Sequence, residues 1–452
     1  MYKRQISLYF GSISIQRSFQ GIGLWFASLW MNSDAQRARL QQKIKEIYSP
    51  SSAGIFSVGS GRSALTLCLK AAGIGSGDEV LLSAYTCLAV PTAVIAAGAQ
   101  PVYVDIDEET LNVDPSAVFA ALSSRVRAIV VQHTLGKPAQ IQAIVDEARA
   151  RGVLVIEDCA LALGSKIDTH YVGTFADAAI LSMELSKTLS VGWGGILLVN
   201  NEQLAKNVTQ IYNRLKEPSW WSATRDLWQT VISSWCYQSR MPYWIQKYVM
   251  YAGFKSRIFR PSTPKSEFAG VVNSNFLVKM GGLQAALAIR QWNDFAKIMS
   301  MCERNAEILR TALLKLNITI PGAPAHNEVS VAPRVSLLVN DRDLAVRYFG
   351  ERGIELGQWF DGPLSPIPTS PLFNYQVGAY PAAEKVANKI VNLPCHSRLT
   401  EEDLRHMCGL LEKFSQEYPE CVLGSVDNSS QNADVPRINP RINHEDGTSV
   451  SV

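Results

Sequence analysis

The chain has 452 residues, of which 47% are hydrophobic and 18% charged, with a formal net charge of +3 at pH 7. That is apolar material for two or three domains with a substantial core, which excludes a chain disordered throughout, and the small net charge without a long basic run excludes a nucleic-acid-binding tail. The eight cysteines, scattered from Cys68 to Cys421 with no CxxC pair, argue against a disulfide framework and a metal site and for reduced thiols in a cytoplasmic protein.

The first fifty residues open with Lys3 and Arg4, but Gln16, Arg17 and Gln20 break the apolar stretch that follows. It is too interrupted for a signal peptide or a membrane span. Phe19, Leu24, Trp25, Phe26, Leu29 and Trp30 make an apolar patch ahead of a helical stretch from Asp34 to Tyr48. Such an arm is expected to pack on a partner subunit; contact with the inner membrane surface is the alternative.

From residue 54 to about 200, apolar strands alternate with helical runs, the pattern of a mostly parallel sheet. Strands are expected at 79–82, 100–104, 128–132, 153–156, 178–181 and 195–199, with helices such as 89–97, 115–122 and 140–150 between them. Val58-Gly-Ser-Gly-Arg-Ser63 precedes a helical run from Ala64 to Ala72. Small residues and free N–H groups at a helix start form either a plain N-cap or a phosphate cradle. Val153-Leu-Val-Ile-Glu-Asp158 puts Asp158 at a strand's carboxyl end, where open α/β sheets bind ligands. A carboxylate there can keep a pyridinium nitrogen protonated and the ring an electron sink. Neighbouring Glu157 points to the opposite face, and His133 reads as a structural hydrogen-bonding residue.

Lys187 lies between the apolar runs 178–181 and 196–199, five residues after Ser182. It is either a surface-loop lysine or a Schiff-base lysine whose amine turns nucleophilic in a desolvated pocket. Residues 216–270 hold five tryptophans, and Trp221, Trp228 and Trp235 fall on one helical face. This insertion is read as packing on the protein's own surface or dimer interface, as docking on a membrane surface, or as a lid. The expected domains are an N-terminal arm (1–50), a large cofactor-binding domain (51–320), a small C-terminal domain (321–418) with a capped helix starting at Thr400, and a disordered tail (419–452).

Gly59-Ser-Gly-Arg-Ser-Ala-Leu65, Gly77-Asp-Glu-Val80, Ala97-Gly-Ala-Gln-Pro-Val-Tyr-Val-Asp105 and Glu157-Asp-Cys-Ala160 form a series in register with Ser182 to Lys187, Leu283-Gln-Ala-Ala286, Tyr380-Pro-Ala-Ala-Glu384 and Leu393-Pro-Cys-His396. Across roughly residues 50–415 apart from the middle, the series resembles the DegT/DnrJ/EryC1/StrS aminotransferases. The resemblance implies an α/β fold of type I, with a mostly parallel sheet sandwiched by helices and a smaller C-terminal α/β domain. It implies pyridoxal 5'-phosphate as cofactor, linked to Lys187, with Asp158 on the ring nitrogen and Gly61, Arg62, Ser63 and Ser182 around the phosphate. Cys87 falls where the family stacks an aromatic on the ring. Asn275 lies near the place from which a neighbouring subunit's asparagine reaches the phosphate, although Leu277 holds that place itself. A homodimer with shared active sites is implied, as are glutamate as donor and a nucleotide-linked keto sugar as acceptor, in surface-polysaccharide or secondary-metabolite synthesis.

Arg62 replaces a threonine of the family, Leu161 a glutamine that contacts the ring hydroxyl, and Trp193 a commonly acidic residue. These departures mark an outlying branch. They keep open an aminotransferase for a non-sugar cyclic ketone, and a cofactor-binding paralogue without turnover that serves as a membrane-docked scaffold or regulator.

Overall fold

The computed structural model describes residues 5–8, 13, 15–238, 243–256, 258–261, 263–268, 270, 276–366, 368 and 370–422. Seven strands form the central sheet: β1 (Gly54–Val58), β2 (Glu79–Ser83), β3 (Gln100–Val104), β4 (Val126–Gln132), β5 (Leu154–Asp158), β6 (Ala178–Ser182) and β7 (Gly195–Val199). Their spatial order is β1-β7-β6-β5-β4-β2-β3. Strands β2 to β6 run parallel, while β7 is antiparallel to both β6 and β1. Every residue of β2, β6 and β7 is buried, as a sheet covered on both faces requires. β1 is not among the strands expected from sequence. Ser57 interrupts its apolar run, and the protein satisfies that buried hydroxyl with the Gln41 side chain, 3.2 Å away.

One face of the sheet is covered by the helices Gly61–Ala71 and Ala89–Ala97, which pack on each other. On the opposite face, helix Ser33–Ile47 packs on Gly282–Asn293, and Trp292 stacks on Phe295 at 4.8 Å. The smaller C-terminal layer pairs Arg334–Leu338 antiparallel with Ile390–Pro394. It is packed by helices Arg342–Glu351 and Glu401–Glu417, the second opened by a Thr400/Asp403 capping box. Cys421 is buried in this layer and Val422 bridges Val339, so the packed chain runs past Tyr418, where the sequence reading starts the tail. The rest of that tail lies outside the described residues.

Strand register sets the site. Gln132 pairs with Asp158, Asp158 with Ile180, and Ser182 with Gly195, which brings the carboxyl ends of β4, β5 and β6 side by side. Glu157 faces away from them. Its carboxylate accepts the N–H groups of Gly173, Phe175 and Ala176. It also lies 3.0 Å from His133 Nε2, and because His133 Nδ1 accepts the Ala139 N–H, it is Nε2 that donates to Glu157. His133 is thus fully buried and structural, as the sequence suggests. Glu157→Ala would strand four donors, and about 3 kcal/mol or more of stability should disappear from a denaturant titration.

The insertion forms two long helices, Trp220–Gln238 and Tyr243–Lys255, and a short one, Lys265–Phe268; the first is packed against helix Ile15–Ala27. The seven-residue tryptophan stripe is not its buried face. Thr224, Leu227, Val231 and Ser234 point inward, one position away, so Trp228 packs beside Trp25 while Trp221 stays exposed. Among the described residues, no helix is long and apolar enough to cross a membrane.

Candidate active site

Lys187 sits on the loop that joins β6 to β7. Met183, Leu185, Leu189 and Val191 bury into the core and pull the loop inward. Backbone bonds from Met183 to Gly194 and from Val191 to Met183 close its base, at 2.8 and 3.0 Å. Within the loop, the Glu184 carboxylate accepts the N–H and hydroxyl of Ser186, and the Glu184 carbonyl accepts the Lys187 N–H. An alternation of apolar and polar residues thereby aims one lysine into the protein. Its Nζ stands 5.0 Å from the centre of the Trp359 ring. Burial pulls the Lys187 pKa below a lysine's usual value, against the opposing pull of Glu184, Cys87 and Asp158.

Asp158 is buried at the end of β5, and its Oδ1 accepts the Ala160 N–H at 2.9 Å. Burial pushes its pKa up, opposed by that hydrogen bond and by Lys187. A cation brought against this carboxylate would restore its ionised form.

The helix Gly61–Ala71 points its N-terminus at the same cavity, capped by the Ser60 hydroxyl on the Ser63 N–H at 3.1 Å. A Cβ on Gly61 would come within 3.3 Å of Ser182 Cβ, so a side chain there would fill the space between the helix start and the Ser182 hydroxyl. A Cβ on Gly195 would fall 2.2 Å from the Ser60 carbonyl carbon and oxygen. Gly195→Ala should therefore displace the Ser60–Gly61 turn or cost about 3 kcal/mol, seen as a lower denaturation midpoint together with weakened phosphate binding.

These groups surround about 850 Å³ of empty space that includes open solvent. Gly61, Arg62, Cys87, Asp158, Ser182 and Lys187 all line it, and Leu161 and Trp193 are there too. Ser63 does not join them: its hydroxyl donates to the Phe276 carbonyl at 2.7 Å behind the first helical turn. Arg62 is committed to an ion pair with the Glu267 carboxylate and lies 5.2 Å from the Phe276 ring centre. Asn275 lies outside the described residues. Sequence reasoning misses Trp359, Phe360, Gln132, Glu184 and Thr263. Gln132 ends a predicted strand beside Asp158, so the strand-end rule could have found it; Trp359 carries no comparable local signal.

The residues present fit pyridoxal phosphate. Lys187 is a half-buried lysine that lines the cavity, Asp158 a buried carboxylate for the ring nitrogen, and the Gly61 turn with Ser182 a cradle that any side chain at 61 would obstruct. Leu161 and Cys87 add apolar and weakly polar surface to the same lining.

A mostly parallel sheet that gathers a lysine, an aspartate and a helix N-terminus at its strand ends defines a fold type I pyridoxal-phosphate-dependent transferase. The chain belongs to the DegT/DnrJ/EryC1/StrS aminotransferase family, whose model matches residues 26–412. Membership makes it an aminotransferase and implies dependence on pyridoxal phosphate. It is 28% identical to the pleiotropic regulatory protein of Geobacillus stearothermophilus, across 82% of this chain and 87% of that one. It is 26% identical to the GDP-perosamine synthase of Escherichia coli O157:H7, across 79% and 84%. Its fold is shared with the PLP form of a putative sugar aminotransferase, Spr1654, from Streptococcus pneumoniae, with a TM-score of 0.70, 17% identity, and coverage of 91% of this chain and 99% of that one.

Proposed function

We propose that this chain moves the amino group of glutamate onto the keto group of a nucleotide-linked sugar, in polysaccharide or secondary-metabolite synthesis, and works as a homodimer. The observation that carries the reading is the placement of Lys187 and Asp158 in one cavity, each shifted toward its neutral form by desolvation. Similarity to a GDP-perosamine synthase supports the sugar acceptor. Pyridoxal phosphate, when bound, supplies a sink for negative charge on the carbon next to the transferred nitrogen.

The chain's own residues do the rest. Lys187 would hold the cofactor covalently through its Nζ, and as a free amine that same Nζ would be the base that takes the proton from the donor's α-carbon. Its depressed pKa makes the uncharged amine available at lower pH than for a solvent lysine. Asp158 holds the positive ring nitrogen. The N–H groups at the Gly61 turn and the Ser182 hydroxyl hold the phosphate. Trp359, beside Lys187 Nζ, excludes water from the proton path.

A second reading, cofactor binding without turnover in a regulatory role, is favoured by Leu161 and Cys87 in the cavity and by the Arg62–Glu267 pair. Likeness to a protein named as a pleiotropic regulator points the same way. Absorption spectra of the holo-protein before and after adding glutamate separate the two. Conversion to the amine form of the cofactor is the expected result. A spectrum unmoved by every amino donor would favour the regulator.

A further inference from the structure

The loop that carries Lys187 continues the β6–β7 hairpin past its last strand pair. Ser182 pairs with Gly195, and the Met183 N–H donates to the Gly194 carbonyl at 2.8 Å, so the next residues opposite each other are Glu184 and Trp193. Strand residues two apart share a face, which puts Glu184 on the side of Ser182 and Trp193 on the side of Gly195, toward the Ser60–Gly61 turn. Both side chains line the cavity, and each is 8% exposed. They stand one pair beyond the phosphate cradle.

Each is held in place. The Ser186 N–H and hydroxyl fix Glu184 through Oε2, at 3.0 and 2.7 Å. Trp193 is set by the insertion. The Arg260 guanidinium lies over its ring at 3.9 Å, and Gln229 grips the Arg260 backbone by both its N–H and its carbonyl, each at 3.0 Å. A Cβ on Gly192 would fall 2.3 Å from Thr230 Oγ1, so helix Trp220–Gln238 packs directly against the residue before Trp193. Thr263 carries the insertion into the cavity wall itself. The cofactor is accounted for by Lys187, Asp158 and the Gly61 turn, which leaves this wall to the substrate.

The chemistry of the pair selects the ligand. A fixed carboxylate accepts hydrogen bonds and gives none. An indole held flat offers apolar area to a ring laid against it. The Trp193 Nε1–H is enclosed with no acceptor among the described residues, a cost that a ligand oxygen would cancel. A ring with hydroxyl groups on its edge and C–H groups on its face meets all three demands. A bare apolar ring leaves the carboxylate and the N–H unserved.

We propose that Glu184 and Trp193 form a subsite for the hydroxylated ring of the amino acceptor, with Trp193 stacked on the ring, Glu184 accepting one of its hydroxyl groups, and Arg260 the positioning residue that holds Trp193. This rests on the sugar-acceptor reading and adds to it the residues that recognise the ring.

The test uses the holo-protein in its amine form, mixed in single turnovers with a uridine-diphosphate-linked 4-keto hexose, with scyllo-inosose, and with cyclohexanone, which has no hydroxyl group. The better of the two hydroxylated ketones should restore the aldehyde form of the cofactor at least about a hundredfold faster than cyclohexanone. Glu184→Gln and Trp193→Ala should each cut that preference at least about tenfold, and should slow the acceptor step more than the glutamate step. Trp193→Phe, which keeps an aromatic face, should retain more of the preference than Trp193→Ala. Arg260→Leu should raise the half-saturating concentration of the hydroxylated ketone several-fold more than that of glutamate. Far-ultraviolet circular dichroism and the cofactor absorption identify a variant that fails to fold. A parent that ignores both hydroxylated ketones would overturn the sugar-acceptor reading and this subsite with it. A parent that prefers them, with Glu184→Gln or Trp193→Ala keeping the full preference, would overturn the subsite alone.

Discussion

Lys187→Met should lower turnover by at least about a thousandfold, the combined loss of a covalent anchor and a proton carrier. Among the described residues, no other lysine borders the cavity to take over. The same substitution should affect stability in the opposite direction. Burial holds the Lys187 pKa below its unfolded value, so between those two values the unfolded chain binds more protons than the folded one. Stability from this group therefore rises as pH rises through the window, and at pH below it the buried ammonium is a cost. Without cofactor, Lys187→Met should denature at a higher midpoint than the parent at neutral pH, and the gap should narrow as pH approaches a lysine's ordinary value. A variant that keeps more than about a tenth of parental turnover would be incompatible with the assigned role.

Asp158→Asn should keep the fold and lose the chemistry. An amide oxygen can still accept the Ala160 N–H that Asp158 Oδ1 accepts at 2.9 Å. What goes is the negative charge opposite the ring nitrogen. Removing one partner of a buried pair costs about 3–5 kcal/mol, or roughly a hundred- to a few-thousandfold in rate if the charge is needed at the transition state. Stopped-flow measurement of the glutamate half-reaction should show that loss with the melting temperature nearly unchanged. An equal loss in both would make Asp158 structural.

The sequence carries much of this fold, for identifiable reasons. The strands β2 to β7 are short apolar runs bounded by turns, and β2, β6 and β7 are the plainest because both their faces are buried. β1 escapes because Ser57 breaks the pattern and its hydroxyl is satisfied by Gln41, a partner in tertiary space. Within the site, Lys187, Asp158 and Gly61 are legible because their chemistry depends on local context: a strand end, a loop between strands, a small residue before a helix. Trp359 is not, since it reaches the cavity from a segment held by pairing of Leu364 and Ser365 with Thr86 and Cys87, and by the Asn392 side chain on the Trp359 N–H. The fate of Arg62 is equally non-local. Its partner Glu267 comes from the insertion, far along the chain. The tryptophan spacing in that insertion misleads, because helix Ile15–Ala27 covers the neighbouring face of the helix.

The central claim is that Lys187 holds the cofactor. Incubating the protein with pyridoxal phosphate, reducing the linkage with borohydride and mapping the peptides by mass spectrometry tests it most directly. The expected result is one stoichiometric pyridoxyl group on the peptide that contains Lys187. A group on another lysine, such as Lys137 or Lys279, or cofactor bound with no lysine modified, would contradict the account.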